Sequence, residues 1–401
     1  MKQVYLDNQS GTKLDTKVID AMVPFFTEYY GNPQSIHSLG IISRKALEIA
    51  RYQVSSLINA SEEEIIFTSC GTESNNLAIK GIADTLKSNG KHIIVSSIEH
   101  ISILNSVRKL KVEGFDISYL PVDNKGNIIE DELKKMLRKD TILVSIQYAN
   151  PEIGTIQDIK KLVSIVKNSI NVSDFIVFHS DAVSAFGIIP IDVEKLGVDI
   201  LTFSSSVIHG PRGSAGLYVK KGIRISSQIN GGGQENFKRS GTENLPSIVG
   251  FGKVCEIVKN EMSKNNEIIC TLRNKLITEL SQRLKYIYLN GACENRLPGN
   301  VNFSVEFVEG EALLLLLDNA GIMVSSGSAC ASKNLKSSYI LSAIGVNTVL
   351  RQGSIIFTLS KFTTREEINY VLEKFSDIVS KLRNISSLYL DFIKTGRRIK
   401  V

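Results

Sequence analysis

Between residues 64 and 219 the chain alternates short β-branched runs with helix-forming stretches, and this order restricts the fold more than any other feature. Residues 64–67 (Glu-Ile-Ile-Phe) read as a strand, followed by a small-residue turn at 69–72 and a helix-like stretch over 73–87. A second strand is expected over 92–96 and a second helix over 101–111. Runs at 116–120, 142–147, 174–179 and 199–203 continue the series. The stretches between them, such as 130–138 and 158–167, carry apolar positions three and four apart, the spacing of one helical face. Strands separated by helices point to an α/β fold with a largely parallel sheet covered on both faces. Residues 215–219, reached across a Gly-Pro-Arg-Gly turn, are expected to add an antiparallel neighbour.

The texture changes near residue 260. Residues 260–284 read as a long charged helix, and 301–305 and 354–359 as strands of a smaller α/β unit. Thr364-Arg-Glu-Glu367 has the form of a capping box, in which Thr364 and Glu367 each satisfy a backbone amide of the other. At about 150 residues per domain, 401 residues exceed one ordinary unit. The expected division is a large sheet domain over 15–260 and a smaller domain made of 1–14 and 261–401.

The charge balance is +6, mixed along the chain, and the only basic cluster is the tail from Lys394 to Lys400. A nucleic-acid binder concentrates such charge in a patch, so no nucleic-acid partner is expected. The longest aliphatic run, 313–317, is far below the about 18 residues of a membrane span. The chain begins Met-Lys-Gln-Val-Tyr-Leu-Asp, without the apolar stretch of a secretory signal. Cys70, Cys255, Cys270, Cys293 and Cys330 show neither a disulfide framework nor a zinc spacing, as suits a reduced, cytoplasmic chain.

Three segments could carry chemistry. Ser69-Cys-Gly-Thr-Glu-Ser74 joins a strand to a helix, and its small residues leave open amides at a helix N-terminus, a natural seat for phosphate; many such turns bind nothing. Asp181 follows the strand expected to end at His179, where open α/β sheets place ligands; it could equally be a helix N-cap. Ser325-Ser-Gly-Ser-Ala-Cys-Ala-Ser332 surrounds Cys330 with small residues and has Lys333 and Lys336 nearby. An accessible thiol near positive charge ionises and becomes a nucleophile, although free cysteines are also often simply buried.

Taken together, these segments resemble a family. Tyr5-Leu-Asp-Asn8, Gly31-Asn-Pro-Gln-Ser-Ile-His37, Thr72-Glu-Ser-Asn-Asn-Leu-Ala-Ile-Lys80 and Glu99-His100 are similar to motifs of NifS/IscS-type cysteine desulfurases. So are Pro190-Ile-Asp-Val193, Gly210-Pro-Arg-Gly213, Gly231-Gly-Gly-Gln-Glu235, Arg239-Ser-Gly-Thr242 and Ser325-Ser-Gly-Ser-Ala-Cys330. The resemblance runs almost end to end and implies the fold-type I architecture, a mainly parallel seven-stranded-type sheet with a smaller C-terminal α/β domain. It also implies a homodimer that holds pyridoxal phosphate (PLP) between its domains, and a loop cysteine that carries sulfur as a persulfide to acceptors such as an IscU-like scaffold. By position it assigns Gly71 and Thr72 to the phosphate turn, His100 to stacking on the pyridine ring and Asp181 to the ring nitrogen. Ser204 and Thr242 fall at phosphate-ligand positions, Thr242 reaching in from the partner subunit, Ser206 falls in the same cofactor pocket, and Cys330 at the persulfide position.

The departures from the family carry as much weight as the matches. The family's Schiff-base lysine is Val207 here, and the histidine before it is Ser206. The asparagine that binds the PLP phenolic oxygen is Pro151, next to Asn150, and the glutamine three residues after the aspartate is Ser184. The arginine that clamps the substrate carboxylate is Ile356. Without the amine there is neither an aldimine nor a base for the substrate α-proton. Without the guanidinium a carboxylate would be desolvated unpaired.

Three readings follow. One is a sulfur-transfer or iron–sulfur assembly protein acting through Cys330, which would accept sulfur from sulfide or a persulfide, or ligate a cluster shared with a partner. Another is an active desulfurase that uses an unrecognised amine, with Lys13, Lys333 and Lys361 as candidates. The last is a scaffold or regulatory dimer in which Cys330 is incidental.

Overall fold

The computed structural model describes residues 2–327, 338–396 and 398. Cys330, Lys333 and Lys336 lie outside the described residues. Among the described residues there are twelve strands: β1 (Val4–Tyr5), β2 (Ile65–Thr68), β3 (His92–Ser96), β4 (Asp116–Leu120), β5 (Thr141–Ser145) and β6 (Val177–Asp181). They are followed by β7 (Ile200–Ser204), β8 (Ala215–Val219), β9 (Ile287–Leu289), β10 (Asn300–Val305), β11 (Ile322–Met323) and β12 (Ser354–Thr358).

Seven of these strands form the main sheet, in the order β2-β8-β7-β6-β5-β3-β4. All its pairings are parallel except those of β8, which lies antiparallel between β2 and β7 as its position after the turn predicts. Strand residues alternate between two cores: Ile94, Val144, Phe178 and Leu201 face one, while Ile93, Ile142, Val177 and Ile200 face the other. A sheet buried on both faces explains the near-continuous β-branched runs. Helices Gly71–Leu86 and Ile101–Val112 cover the second core.

The order reverses between β3 and β5, because the chain moves outward from β3 to β4 and then returns to build β5, β6 and β7 on the other side. Such a reversal opens a crevice beyond the carboxyl ends of the strands.

A second sheet, β12-β10-β9, has its own apolar core, with Phe303, Phe357, Phe375 and Leu372 at its centre. The capping box at Thr364 is present and starts the helix Arg365–Ile385. Near the N-terminus β1 pairs with β11, but Thr12 already bonds to Ser206 at the end of β7.

Two boundaries differ from expectation. The long helix is Leu245–Arg283, not 260–284. Gly250 and Gly252 lie inside this helix and let it approach its neighbours. A Cβ on Gly252 would stand 2.6 Å from the Ala50 Cα, and one on Gly250 would stand 2.6 Å from the Met22 sulfur. The strand expected to end at His179 runs on to Asp181, which pairs with Thr202. No described helix is long and apolar enough to cross a membrane.

Candidate functional site

The sequence candidates gather where the strands end. His100 follows β3, Asp181 closes β6, Ser204 closes β7, and Gly71 and Thr72 open the helix after β2. Gly71 is required by contact, since a Cβ there would stand 2.8 Å from the Val183 side chain beside Asp181.

Asp181 is 6 % exposed. Its Oδ1 accepts the Val183 N–H at 2.9 Å and its Oδ2 accepts from Asn75 Nδ2 at 2.7 Å. The carboxylate therefore closes a local turn, although no helix follows directly for it to cap. Burial raises its pKa, against the Val183 amide, the nearby His100 and Asn75, which favour the anion.

Asn75 and Ser102, which the sequence alone does not single out, join Asp181 to His100. Asn75 also donates to Ser102 Oγ at 2.9 Å, and Ser102 Oγ lies 2.7 Å from His100 Nδ1. Because Ser102 Oγ accepts from the amide, its own proton is free to point at Nδ1. The Ser102 backbone N–H points there too, at 3.2 Å. With two donors on Nδ1, a neutral His100 carries its proton on Nε2. An unbroken run of hydrogen bonds thus ties Asp181 to the ring that caps helix Ile101–Val112. The available signal was a buried-face pattern: Asn75 lies three and four residues before Ala78 and Ile79 on one side of its helix.

Glu99, before His100, is fully buried; its Oε1 accepts the Gln147 N–H at 2.7 Å and its Oε2 has no partner. Burial, and then the charge of Asp181, push its pKa well above the usual carboxylate range.

At the end of β7 the Ser204 and Ser206 hydroxyls lie 3.1 Å apart. Val207 is 9 % exposed and lines a cleft with Ser184, Ile188, Ile257 and Lys361. The Lys361 ammonium is 2.6 Å from Asp15 and 3.5 Å from Glu261, so it is held in ion pairs. Lys13 lies over the Phe362 ring, 5.9 Å from its centroid. The Ser184 hydroxyl accepts from Gln9 Nε2 at 2.8 Å. Ile356, 6 % exposed, lies opposite Asn302 on β10 and bridges to Ser325. Thr242 is exposed, and among the described residues no hydrogen bond joins it to the other candidates. Arg239, three residues earlier, pairs with Glu73 at 2.8 Å.

The residues present fit PLP at two ends and not at the third. Open helix amides and paired hydroxyls suit a phosphate, and a buried carboxylate suits a ring nitrogen. Val207, however, offers no amine for the covalent link. Among the described residues no group of His, Cys, Asp or Glu side chains converges as a metal site.

A family model described as aminotransferase class-V matches residues 4–371. The cysteine desulfurase IscS of Dictyoglomus turgidum is 50 % identical over 385 residues, 96 % of each chain. That of Methanosarcina thermophila is 46 % identical over 387 residues, covering 96 % of this chain and 94 % of its own. A solved NifS-like protein superposes with a TM-score of 0.89 at 38 % identity, over 95 % of this chain and 100 % of that one.

Proposed function

This chain belongs to the NifS/IscS-type cysteine desulfurases of the aminotransferase class-V family, and from that premise we propose that it works in sulfur transfer or iron–sulfur cluster assembly through Cys330, without PLP-dependent desulfuration of its own. The observation that supports this most is Val207: a buried aliphatic side chain stands where the family's chemistry needs an amine. Ile356 adds to it, because an apolar, buried position cannot pair with a substrate carboxylate.

In this reading the Cys330 thiolate attacks the outer sulfur of a donor persulfide. A bond forms between the two sulfurs, the donor's S–S bond breaks, and its thiolate leaves, with no net oxidation. Free sulfide would need an added oxidant, so a persulfide is the donor we favour. As a cluster ligand, Cys330 would supply one thiolate and an IscU-like scaffold the others. Asp181, His100, Gly71, Thr72, Ser204 and Ser206 would be what remains of a PLP seat. Cytoplasmic residence accords with a thiol of this kind, which needs reducing surroundings.

A homodimer is part of the same reading. Phe26, Tyr30, Ile36, Tyr52 and Phe237 are exposed, and the segments carrying them are tied together by Arg51–Glu235 at 2.6 Å and Gln34–Glu243 at 3.3 Å. A second copy covering that face would bring Thr242 to its partner's phosphate turn.

The test supplies purified protein with PLP and L-cysteine, and separately with a low-molecular-weight persulfide. No imine absorption and no sulfide release are expected in the first case, and a persulfide on Cys330, lost in Cys330→Ser, in the second. Cysteine-dependent turnover that borohydride abolishes, with PLP fixed to a lysine, would establish the rival reading. Lys361 is its best candidate, since it shares the cleft with Val207.

A further inference from the structure

Glu152 is a buried carboxyl that sulfur transfer does not use. It sits in the loop after β5, 7 % exposed, and its Oε1 has no hydrogen-bond partner. Its backbone is fixed: the N–H donates to Asn150 Oδ1 at 2.9 Å, and the carbonyl accepts from Asn302 Nδ2 at 2.9 Å and Asn300 Nδ2 at 3.2 Å.

Two segments close on this carboxyl. Residues 325–327 arrive from β12, to which Ser325 is bound in both directions, its N–H to the Ile356 carbonyl at 3.2 Å and the Ile356 N–H to its own carbonyl at 2.8 Å. Gly327 then lies against the carboxyl: a Cβ on it would stand 2.2 Å from Oε1 and 2.6 Å from Cδ. A side chain there would have to displace the Glu152 carboxyl. From the other direction comes Ser338, whose hydroxyl bonds to the Glu152 carboxyl. The same hydroxyl accepts the Leu341 N–H at 3.1 Å as the N-cap of helix Tyr339–Ala343. Next to it, the Tyr339 hydroxyl donates to the Glu99 carbonyl at 2.6 Å.

We propose that Glu152 is a positioning residue: its neutral carboxyl lets residues 325–327 pack against the loop after β5, and its ionisation loosens them while the Ser338 hydroxyl stays bonded to it. Burial raises its pKa from 4.5 to about 7, against the Ser338 hydroxyl, which favours the anion. No charged side chain among the described residues contributes to that shift. The groups placed around the carboxyl are neutral: Asn150 and Pro151 from its own loop, Asn300 and Asn302 from β10, then Gly327 and Ser338. An anion there would leave a charged oxygen dry and unpaired, a state relieved when Gly327 withdraws and water enters. The pin rests on the sulfur-transfer reading for its purpose alone, because Cys330 follows the pinned segment by three residues in the sequence.

Hydrogen–deuterium exchange on the full-length protein from pH 6 to 8.5, corrected for intrinsic rates, tests the pin through peptides covering 325–327. Wild type should lose protection with a midpoint near the about 7 given by burial, by about tenfold for each pH unit above it. Glu152→Gln, neutral at every pH, should stay protected with no step. Glu152→Ala should be unprotected throughout, and so should Gly327→Ala. A wild-type profile without a step, or a step that persists in Glu152→Gln, overturns the proposal. Should Glu152→Gln fail to fold, Glu152→Ala combined with Gly327→Ala takes its place; no step is expected, and a step refutes the pin. Persulfide labelling of Cys330 is read separately. Its loss alongside an intact step defeats sulfur transfer and leaves the pin standing, and the converse defeats only the pin.

Discussion

At the ends of β3 and β6, Asp181, Asn75, Ser102 and His100 are joined by hydrogen bonds of 2.7 to 2.9 Å. Beyond β7 and on β12, the corresponding positions hold Val207 and Ile356, both buried and both without a polar side chain. In the first group polar residues hold one another, whereas the second presents only apolar side chains. A network whose members satisfy each other can survive without a ligand, because removing any member leaves the rest unpaired in a dry place. A lone buried lysine or arginine has no such support once its substrate is lost. Its desolvation is then a pure cost, and an aliphatic replacement is favoured.

The sharpest trial of that contrast is Ile356→Arg. If the position is dry and apolar, an unpaired guanidinium there should cost about 3–5 kcal/mol of unfolding free energy, read from urea melts. A cost near zero would mean that an anionic partner is already present, and the apolar description of β12 would fail. Val207→Lys combined with Ile356→Arg should still bind PLP covalently only in part, because Pro151 and Ser184 do not restore the lost ring contacts.

Glu99→Gln addresses the polar group through pH. The Glu99 pKa is raised in the folded protein, so the unfolded chain ionises first, near 4.5. Fewer protons on the unfolded state mean that stability falls as pH rises from that value towards the folded pKa, then levels off. The neutral isostere should therefore gain stability relative to wild type as pH rises from 5 to 8, read from urea melts at each pH. Asp181 and Glu152 are shifted upward too and should leave a residual slope. Identical slopes in wild type and variant would show that Glu99 is not held neutral.

Much of this contrast can be read from the sequence, and the part that cannot has a physical reason. The substitutions at Val207 and Ile356 are visible because they break motifs at known spacing, and the sheet is visible because parallel strands must be apolar on both faces. Asn75 and Ser102 are not visible as single residues. A polar side chain in the first turns of a helix resembles a solvated position until the partner strand is placed over it. The early start of helix Leu245–Arg283 is hidden for a related reason. Gly250 and Gly252 serve close packing against Met22 and Ala50, a relation between distant segments. The last two residues of β6 escape because Ser180 and Asp181 are poor strand formers, held in place by pairing with Leu201 and Thr202.

Asn75→Ala should have the next effect in size, about 1–3 kcal/mol, since it leaves the buried Asp181 oxygen without its side-chain donor. Nitrogen NMR of His100 gives a second readout. The ring should keep its proton on Nε2 in wild type and become a mixture of tautomers in the variant, because Ser102 Oγ loses the donor that oriented its own proton. A ring unchanged in both would show that Asn75 packs against the network without orienting it.

The smallest effect is expected at the point where the two groups meet. Ser206 stands between Ser204, on the polar side, and Val207, on the apolar one. Its hydroxyl has one contact, with Ser204 Oγ at 3.1 Å, while its carbonyl accepts from the Thr12 amide at 3.2 Å and hydroxyl at 3.0 Å. Ser206→Ala removes only the first of these. It should cost about 0.5–1 kcal/mol, one neutral hydrogen bond on a half-buried side chain, and leave the Thr12 contacts intact. If the paired hydroxyls still serve an anion, the same variant should also weaken binding of inorganic phosphate, measured by titration calorimetry, whereas Val207→Ala should not. Equal loss in the two variants would mean that the end of β7 responds as one packed unit, and the boundary drawn between polar and apolar groups would have to move past Ser204.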